Sequence, residues 1–539
     1  MSVQEEKYIL AIDLGTSAAK VALISIHGEV IGWEAEPIPL QVLPKGGAEQ
    51  DPENWWEAIM RTSKRLLGRG LVPTEDVVAA CAVTPGAGTV PVDQEGNCLM
   101  NAMIWLDSRG AELAKKKLRG LICVEGYNLF KLFHWLRICG GAPSPSGKDL
   151  VGHVLYIKHA FPEIYKRTHM FLDQLDYINY RLTGNFVATC DTKGISWVLD
   201  IRDPENVAYY EGMLREWGIE RDKLPEIKRC IDVIGNIKPE VADALGLCKD
   251  VQVVAGAFDL PAAAVGSGAV EDYTAHLSIA TSSFMTVHVP FKKVDIFHAM
   301  ASLPCAIPNR YLLLAEQEGA GVNLTFLRDN ILFHQDALLD MDSPEDYFQA
   351  INQIAEEAPP GSNGLIYTPW IHGERSPIED PWVRSTIFNL SLNNTRGDLA
   401  RAILEGVAFN TRWILSPVEK FCRRKMEAIN VVGGGANSNL WCQILADVLD
   451  RTIRQVKDPI QAAARGAAFI ASVGLGYIQF SEIPKLVKIE NEYHPDPKNR
   501  ALYDKIFPEF VNLYKCNRDI YRRLNSTEFN PSEGVERGF

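Results

Sequence analysis

The stretch "AIDLGTSAAKVAL", residues 11–23, places a polar turn between two apolar, β-rich runs. Asp13 lies near the end of the first run, and Gly15, Thr16 and Ser17 follow it. A tight turn after a strand exposes consecutive backbone N–H groups that bind phosphate oxygens, and the two hydroxyls add donors. The carboxylate of Asp13 suits the water ligands of a Mg²⁺ that shields such a phosphate. An ordinary hairpin turn is the alternative, and this stretch alone does not decide between the two.

Length and composition restrict the possible functions. The chain has 539 residues, more than one hydrophobic core usually serves, so we expect two or more domains. Its net charge of −13 argues against a nucleic-acid partner or an anionic membrane surface. The 11 cysteines lack metal-ligand spacing, which argues against a structural zinc site. Because no signal peptide and no apolar run of membrane-spanning length is apparent, we expect a cytoplasmic protein.

The segments around the opening stretch predict a mixed α/β domain. Residues 8–33 form three β-rich runs separated by turn residues, which indicates a hairpin meander. Asp51 or Pro52 then begins an amphipathic helix, and "VVAACAVTP", residues 77–85, has the pattern of a buried strand. We therefore expect helices that cover a sheet.

A similar pattern begins again about half a chain later. The stretch "AHLSIATSSFMTVHV", residues 275–289, indicates a strand, a turn and a strand, and Thr281 aligns with Thr16 at an offset of 265 residues. Two related α/β domains that face each other across a cleft would explain this repeat. Chance similarity between short β-turn-β segments is the alternative.

Two further stretches carry residue types that suit phosphoryl transfer. Asp259 lies between an apolar strand and an alanine-rich helix in "VVAGAFDLPAAAV". It could cap the helix, or it could act as a general base on a hydroxyl that attacks a phosphate. The glycines 433–435 join a strand to a helix that begins near Ser438, which allows close approach of a purine or ribose, or simply close packing. The chain has no GxxxxGK[ST] motif, which excludes a P-loop.

Together these segments resemble the FGGY family of carbohydrate kinases, in the sugar kinase/actin/Hsp70 superfamily. The resemblance runs in order from residue 8 to about 515 and includes "WLDSR" (105–109), "GERSPIEDPWVR" (373–384) and "DLARAILEGVAF" (398–409). It implies an α/β fold with two ribonuclease H-like (actin-like ATPase) domains that face a central cleft. The implied limits are 1–262 for an N-terminal, sugar-binding domain, 263–485 for a C-terminal, ATP-binding domain, and 486–539 for a helical tail. Within that tail Tyr503, Phe507, Phe510 and Tyr514 have helical spacing.

The resemblance also implies roles for individual residues. Asp259 would be the general base, and Asp13 and Asp259 would face the metal ion. The ATP site would contain Thr16, Ser17, Lys20, Gly256, Thr281, Ser282, Gly434, Gly435 and Ala436. The sugar pocket would contain Thr84, Trp105, Asp107 and Arg109, for which an ordinary strand end with a surface Asp–Arg pair is the alternative.

The turn that reads the sugar differs from that of the relatives. Residues 84–89 are Thr-Pro-Gly-Ala-Gly-Thr, where xylulose kinases typically have serine, glycine, glutamine, methionine, histidine and glycine. Glycerol kinases place arginine and glutamate in this turn. Gly86, Ala87 and Gly88 therefore imply a roomier or differently read pocket. Leu260 stands where many relatives have a polar amide, and Ala280 stands where glycine is usual.

The sequence thus predicts a kinase that uses ATP and Mg²⁺ to phosphorylate a hydroxyl of a ketopentose or related sugar or polyol, similar to xylulose kinases. Alternative substrates within the family are ribulose, erythritol, glycerol or a signalling ketose. A catalytically silent, nucleotide-binding regulator is the alternative from another class, and the presence of Asp259 argues against it. The family is often dimeric, so a homodimer is compatible with the resemblance.

Overall fold

The computed structural model describes residues 6–124, 126–334 and 343–525, which form two main β-sheets covered by helices. The strands of the N-terminal half are β1 (Tyr8–Leu14), β2 (Ala18–Ser25), β3 (Val30–Pro37), β4 (Gln41–Leu43), β5 (Gly47–Gln50), β6 (Val77–Thr84), β7 (Val90–Val92), β8 (Ala102–Met103), β9 (Cys123–Val124), β10 (Tyr127–Asn128), β11 (Met170–Leu172), β12 (Val187–Thr189), β13 (Leu199–Asp200), β14 (Ala208–Tyr209), β15 (Glu226–Lys228), β16 (Val233–Asn236) and β17 (Gln252–Phe258). Its helices are α1 (Pro52–Gly68), α2 (Ala111–Leu118), α3 (Leu129–Cys139), α4 (Leu150–Ala160), α5 (Pro162–Arg167), α6 (Gln174–Thr183), α7 (Cys190–Gly194), α8 (Glu211–Trp217), α9 (Pro239–Leu245) and α10 (Asp259–Gly266).

The C-terminal half continues with a second series of strands and helices. Its strands are β18 (Ala275–Ile279), β19 (Ser283–Val289), β20 (Val294–Asp295), β21 (Met300–Pro304), β22 (Tyr311–Gln317), β23 (Ile366–Thr368), β24 (Thr386–Phe388), β25 (Ala428–Val432), β26 (Thr452–Val456) and β27 (Ile489–Tyr493). Its helices are α11 (Val322–Leu327), α12 (Tyr347–Glu357), α13 (Arg396–Cys422), α14 (Asn439–Leu449), α15 (Ala462–Gly474), α16 (Ile483–Leu486) and α17 (Pro497–Leu524).

The two main sheets share one topology. In the first, with the order β16-β17-β6-β1-β2-β3, β1 and β6 are parallel, β6 and β17 are parallel, and β2, β3 and β16 are antiparallel to their neighbours. In the second, β18, β25 and β26 are parallel in the same way, β19, β22 and β27 take the antiparallel places, and two further antiparallel strands, β20 and β21, extend the sheet beyond β22. The 265-residue offset relates Leu14, the last residue of β1, to Ile279, the last residue of β18. The repeat expected from the sequence is therefore confirmed at the level of strand pairing.

The local sequence explains how several of these elements begin. Asp51 precedes α1 and accepts a 2.9 Å hydrogen bond from the backbone N–H of Glu53, so the predicted helix start is confirmed. Ser438 caps α14 in the same manner, with its hydroxyl accepting from the N–H of Trp441 at 3.0 Å. The strand and the alanine-rich helix expected around Asp259 are confirmed as β17 and α10, and Asp259 is the first residue of that helix.

Helices α10 and α15 cross at very close range. A Cβ atom added to Gly266 would lie 1.8 Å from the carbonyl oxygen of Ala462, and one added to Gly466 would lie 1.8 Å from that of Ala262. Only glycine allows the two backbones to approach this closely. The helix pair packs against β1, β6 and β17, although α15 lies far along the chain. The fold therefore joins the second half of the chain to the first sheet.

The predicted domain limits remain predictions, although two of them fall within a helix of the structure. The limit between residues 262 and 263 lies inside α10. The limit between residues 485 and 486 lies inside α16, and the predicted tail, 486–539, contains β27, which pairs with β26 in the second sheet, and α17. Tyr503 and Phe510 are buried there as the helical spacing predicted, and residues 526–539 lie outside the described residues. Within the described ranges, no helix has both the length and the apolar character needed to cross a membrane.

Candidate active site

The parallel strands of the first sheet bring three predicted site residues to one edge. Strands β1, β6 and β17 run in the same direction, so their carboxyl ends meet there. Asp13 pairs with Val83 across β1 and β6, and Phe258 pairs with Thr84 across β17 and β6. Asp259 follows directly as the first residue of α10. The first phosphate turn, the sugar-reading turn and the presumed base therefore lie side by side.

Lys20 and Asp13 form an ion pair beside Asp259. Lys20 donates from Nζ to Oδ2 of Asp13 at 2.9 Å, and the negative charge of Asp13 raises the pKa of Lys20. Burial, together with the carboxylates of Asp13 and Glu316, raises the pKa of Asp259 to about 7, while a backbone hydrogen bond from Leu260 and the charge of Lys20 lower it. Because Phe258 is the N-cap residue, the capping alternative for the Asp259 side chain is wrong. A carboxyl group with a pKa near neutrality suits a general base.

Asp191 supports the strand end that carries Asp259, and the sequence reasoning missed it. Its Oδ2 accepts a 2.9 Å hydrogen bond from the N–H of Phe258, and its Oδ1 accepts from Thr189 Oγ1 and from the N–H of Thr192. Asp191 is fully buried, so these bonds fix the position from which α10 begins. Gly256, predicted to contact the cofactor, has a φ of +77°, and a Cβ there would lie 2.0 Å from the carbonyl oxygen of Ala82. Sheet packing already requires glycine at this position.

The predicted phosphate turns differ in how their hydroxyls are used. Thr16 Oγ1 accepts a 3.1 Å hydrogen bond from Trp105 Nε1, so it links the first turn to the predicted sugar side. Ser17 is exposed in the same turn. In the second turn Thr281 is exposed, and neither its hydroxyl nor that of Ser282 has a hydrogen-bond partner within the described ranges. The carbonyl oxygen of Thr281 accepts from the N–H groups of residues 320 and 322, which hold this turn in place.

The glycine-rich turn lies next to the second phosphate turn. Strands β18 and β25 are parallel with Ser278 opposite Val432, so their carboxyl ends meet as well. A Cβ on Gly435 would lie 2.5 Å from Ile279 Cγ2, whereas one on Gly434 would meet no atom within 4 Å. Ala436 is fully buried, and its carbonyl oxygen accepts from Gln455 Nε2 at 2.7 Å. Of the three predicted adenosine contacts, Gly434 is the most open to a ligand.

A cation from a different loop, Arg375, pairs with a carboxylate that acts on Asp259. Arg375 pairs with Glu316, and its Nη2 lies 3.0 Å from Glu318 Oε1. Glu316 also raises the pKa of Asp259, which places this cluster within electrostatic reach of the base. The buried Glu374 accepts from the N–H groups of Glu318 and Arg375 at 3.0 and 2.8 Å. The matched motif 373–384 was the sequence signal for Arg375, but neither its partner nor its role could be predicted from that motif.

Asp107 and Arg109 form a closed network, not an open pair. Asp107 is fully buried, accepts from the N–H of Ala48 at 2.9 Å, and accepts from Arg109 Nη2 at 2.6 Å. The guanidinium of Arg109 also pairs with Glu49, and its carbon lies 4.8 Å from the ring centre of Tyr156. The alternative of an ordinary surface Asp–Arg pair is therefore wrong. Their contact with a sugar stays a prediction.

The room expected beside the sugar-reading turn is filled by side chains from elsewhere. A Cβ on Gly86 would lie 2.1 Å from Ile195 Cδ1, and one on Gly88 would lie 1.9 Å from Gln174 Oε1. The expectation of a roomier pocket is therefore wrong beside Gly86 and beside Gly88. The amide of Gln174 instead places a polar group there, which the turn itself lacks. The crevice at this point is too narrow to hold a water molecule, and it is lined by Leu14, Gly15, Thr16, Gln50, Trp55, Pro85, Ile104 and Gln174.

The residues present fit a nucleotide with a divalent cation. The hydroxyls of Ser17, Thr281 and Ser282 suit phosphate oxygens, and the open backbone at Gly434 suits a flat base or ribose. Within the described ranges, no three carboxylate, histidine or cysteine side chains converge on one point. Asp13 would therefore hold Mg²⁺ together with water and phosphate oxygens, which is how Mg²⁺ is commonly bound.

Comparison with known proteins agrees with this arrangement. The model of the FGGY family of carbohydrate kinases, N-terminal domain, matches residues 8–266, and that of the C-terminal domain matches residues 275–475. A xylulose kinase of Staphylococcus epidermidis is 27% identical over 537 residues, which cover 96% of this chain and 98% of the relative. Crystal structures of a gluconate kinase and of a ligand-bound xylulose kinase from Lactobacillus acidophilus each have a TM-score of 0.83 and 25% identity. They cover 97% and 96% of this chain, and the whole of each solved chain is matched.

The family matches span most of the chain, and the fold has the two α/β units of the solved kinases. The resemblance seen in the sequence is confirmed: the chain belongs to the FGGY family of carbohydrate kinases and is an ATP-dependent sugar kinase.

Proposed function

We propose that this kinase transfers the γ-phosphoryl group of ATP to a hydroxyl of a ketopentose or a related sugar or polyol, with Asp259 as the general base. The observation that carries the proposal is the position of Asp259 directly after β17, beside the ion pair of Lys20 with Asp13 and next to the strand end that carries Thr84. Similarity to xylulose kinases of about 27% identity supports the substrate class.

The chemistry follows from the charges around the base. When bound, MgATP supplies the phosphoryl group, and its charge is held by Mg²⁺ and by donors of the two turns. Asp259 takes the proton from the sugar hydroxyl as the hydroxyl oxygen attacks, and its pKa of about 7 lets it both accept and release that proton near neutrality. Lys20 and Arg375 are cations close enough to Asp259 and Glu316 to balance the charge that builds up during transfer.

The test is a panel of sugars and polyols with MgATP, read by the release of ADP. The panel contains the four ketopentoses, gluconate, erythritol and glycerol, each with the wild-type protein and with Asp259→Asn. We expect at least one member to stimulate ADP release far above the rate without sugar, and Asp259→Asn to remove that stimulation. If no member stimulates release although ATP binds, the proposal is wrong and the nucleotide-binding regulator becomes the better account.

A homodimer is part of the same proposal, because the family is often dimeric. The described residues include exposed apolar side chains on several surfaces, among them Leu121 and Leu392. Light scattering at catalytic concentrations would distinguish a dimer of about twice 60.0 kDa from a monomer.

A further inference from the structure

We propose that an exposed surface on the N-terminal half of the chain, both apolar and basic, binds a bilayer that contains anionic phospholipids. The inference goes beyond the proposed reaction and does not depend on its substrate. Four large apolar side chains form the apolar part of this surface, which we call the α2–α3 patch: Leu121, Ile122, Phe130 and Phe133. Its basic part is Lys116, Arg119 and Arg137.

Helix α3 exposes apolar side chains on its outer face. Its residues Trp135, Ile138 and Cys139 are buried in the core, as expected for one face of an amphipathic helix. The other face should be polar, but Phe130 and Phe133 lie one turn apart and are 72% and 64% exposed. Soluble proteins rarely expose several large apolar side chains together unless these contact a partner or a membrane.

Two more apolar side chains come from the segment between α2 and β9. Leu121 is fully exposed, and Ile122 is 54% exposed. The N–H of Leu129, the first residue of α3, donates to the carbonyl oxygen of Ile122 at 3.0 Å. This bond ties the segment to the first turn of α3, where Phe130 follows. The four apolar side chains therefore belong to one surface.

This part of the chain is basic although the chain as a whole is acidic. Residues 111–140 contain six lysines and arginines but only two glutamates, whereas the net charge of the whole chain is −13. Lys116, Arg119 and Arg137 are exposed and form no ion pair with a described residue. The net charge disfavours attraction of the whole molecule to an anionic surface, but the local field at the α2–α3 patch has the opposite sign.

Two carboxylates next to the patch are already paired. Glu112, in the first turn of α2, pairs with Lys115 at 2.9 Å. Glu216 pairs with Lys131 of α3 at 2.7 Å. Neither carboxylate therefore neutralises the three exposed cations through an ion pair.

Charge decides which occupant fits the patch. A second copy that docked by the same face would bring the cations of one patch against those of the other, which disfavours a symmetric pair. An anionic bilayer complements both parts, because its headgroups attract lysine and arginine while phenylalanine and leucine insert at the boundary with the acyl chains. Each lysine or arginine near such a surface strengthens binding by about fivefold.

The test is co-sedimentation of the full chain with vesicles of phosphatidylcholine alone and of phosphatidylcholine mixed with an equal part of phosphatidylglycerol. The readout is the lipid concentration at which half of the protein sediments. For the wild type we expect at least about tenfold tighter binding to the mixed vesicles, because three exposed cations face the lipid. Added salt should weaken this binding, because it screens the charges.

Two pairs of substitutions test the two parts of the patch. Phe130→Gln with Phe133→Gln removes apolar side chains and should weaken binding about tenfold or more. Lys116→Glu with Arg119→Glu reverses two charges and should weaken binding to the mixed vesicles by at least as much. Because all four side chains are exposed, the melting temperatures and the ADP release without vesicles should match those of the wild type.

The matched control is Phe297→Gln with Leu392→Gln, which removes two other exposed apolar side chains and should bind the vesicles like the wild type. The inference is overturned if the wild type does not bind the mixed vesicles, if it binds both kinds equally, or if the control weakens binding as much as the patch variants do. It is also overturned if light scattering shows that Phe130→Gln with Phe133→Gln converts a dimer into a monomer, because the patch would then be the contact between two copies. Should that pair lower the melting temperature, the charge-reversal pair decides alone.

Discussion

Lys20 donates a 2.9 Å hydrogen bond from Nζ to Oδ2 of Asp13, its cross-strand neighbour in the β1–β2 pair. The two charges act in opposite directions on Asp259, since Asp13 raises its pKa and Lys20 lowers it. The first phosphate turn therefore sets the protonation of the base as well as the site for the nucleotide. Asp13 and Lys20 lie only seven positions apart, whereas Asp259 lies more than 200 positions further along the chain.

The rate should follow the ionisation of Asp259. Because its pKa is raised to about 7 and the base must be deprotonated, kcat/KM for the sugar should rise with pH through about 7 and then level off. Glu316→Gln should move the inflection to lower pH, since the Glu316 carboxylate raises the pKa of Asp259. Glu318→Gln is the matched control, because Glu318 also pairs with Arg375 but is not among the groups that shift the pKa of Asp259. An inflection that Glu316→Gln leaves in place would refute this assignment.

Asp13→Asn should raise the Mg²⁺ concentration needed for half-maximal ADP release. Loss of a residue that holds metal-bound water typically costs ~10–100-fold in metal affinity. The amide keeps the shape of the side chain, so the variant should fold and its melting temperature should stay near that of the wild type. Titration with Mg²⁺ at fixed ATP gives the answer. A folded variant whose Mg²⁺ dependence matches the wild type would remove Asp13 from this role.

Two adjacent glycines should respond differently to the same substitution. The Cβ atom that Gly434→Ala adds meets no atom within 4 Å, so we expect unchanged stability. If adenosine lies against this backbone, the KM for ATP should rise about tenfold (~1.4 kcal/mol). Gly435→Ala would press on Ile279, and overpacking of this kind typically costs ~1–3 kcal/mol, so its melting temperature should fall. Thermal unfolding and KM for ATP separate the two effects. An unchanged KM in Gly434→Ala would contradict the predicted adenosine contact.

D-xylulose should not be the best substrate. The glutamine, methionine and histidine typical of xylulose kinases are absent from the turn, and the side chain of Gln174, from α6, lies against Gly88 instead. A different set of polar contacts favours a different pattern of hydroxyls. We therefore expect another ketose or polyol to give the higher kcat/KM across the panel. If D-xylulose ranked first by about tenfold (~1.4 kcal/mol), this interpretation of the turn would fail.

Much of the fold could be predicted because its signals are local. The apolar runs of β1 and β2 and the helix starts at Asp51 or Pro52 and near Ser438 each depend on a few neighbouring residues, and each is confirmed. The 265-residue repeat gave the second strand–turn–strand at the correct positions. The start of α10 at Asp259 was harder to predict, since an aspartate before an alanine-rich run is also a common cap.

The site was predicted less completely because its contacts join distant elements. The sequence shows that Gly88 has no side chain, but it does not show that Gln174 fills the space from α6, 86 positions further along the chain. Asp191 and Arg375 act through the backbone of Phe258 and the carboxylate of Glu316, and no local pattern reports those partners. Motif spacing identifies strand ends, whereas the packing between them decides which groups face the ligand.

The most direct test of the central claim is sugar-dependent ADP release by Asp259→Asn at pH 8, measured beside the Kd for ATP. Loss of a general base typically lowers the rate ~10²–10⁴-fold, and ATP binding should be unchanged. Thermal unfolding of Asp259→Asn should show that the variant is folded. The raised pKa of Asp259 means that the folded state binds more protons than the unfolded state between about pH 4 and 7, so the wild type loses stability as pH rises through that range. Asp259→Asn removes that penalty and should melt at a higher temperature than the wild type at pH 8. A folded variant that binds ATP and turns over the sugar within tenfold of the wild-type rate would contradict the account.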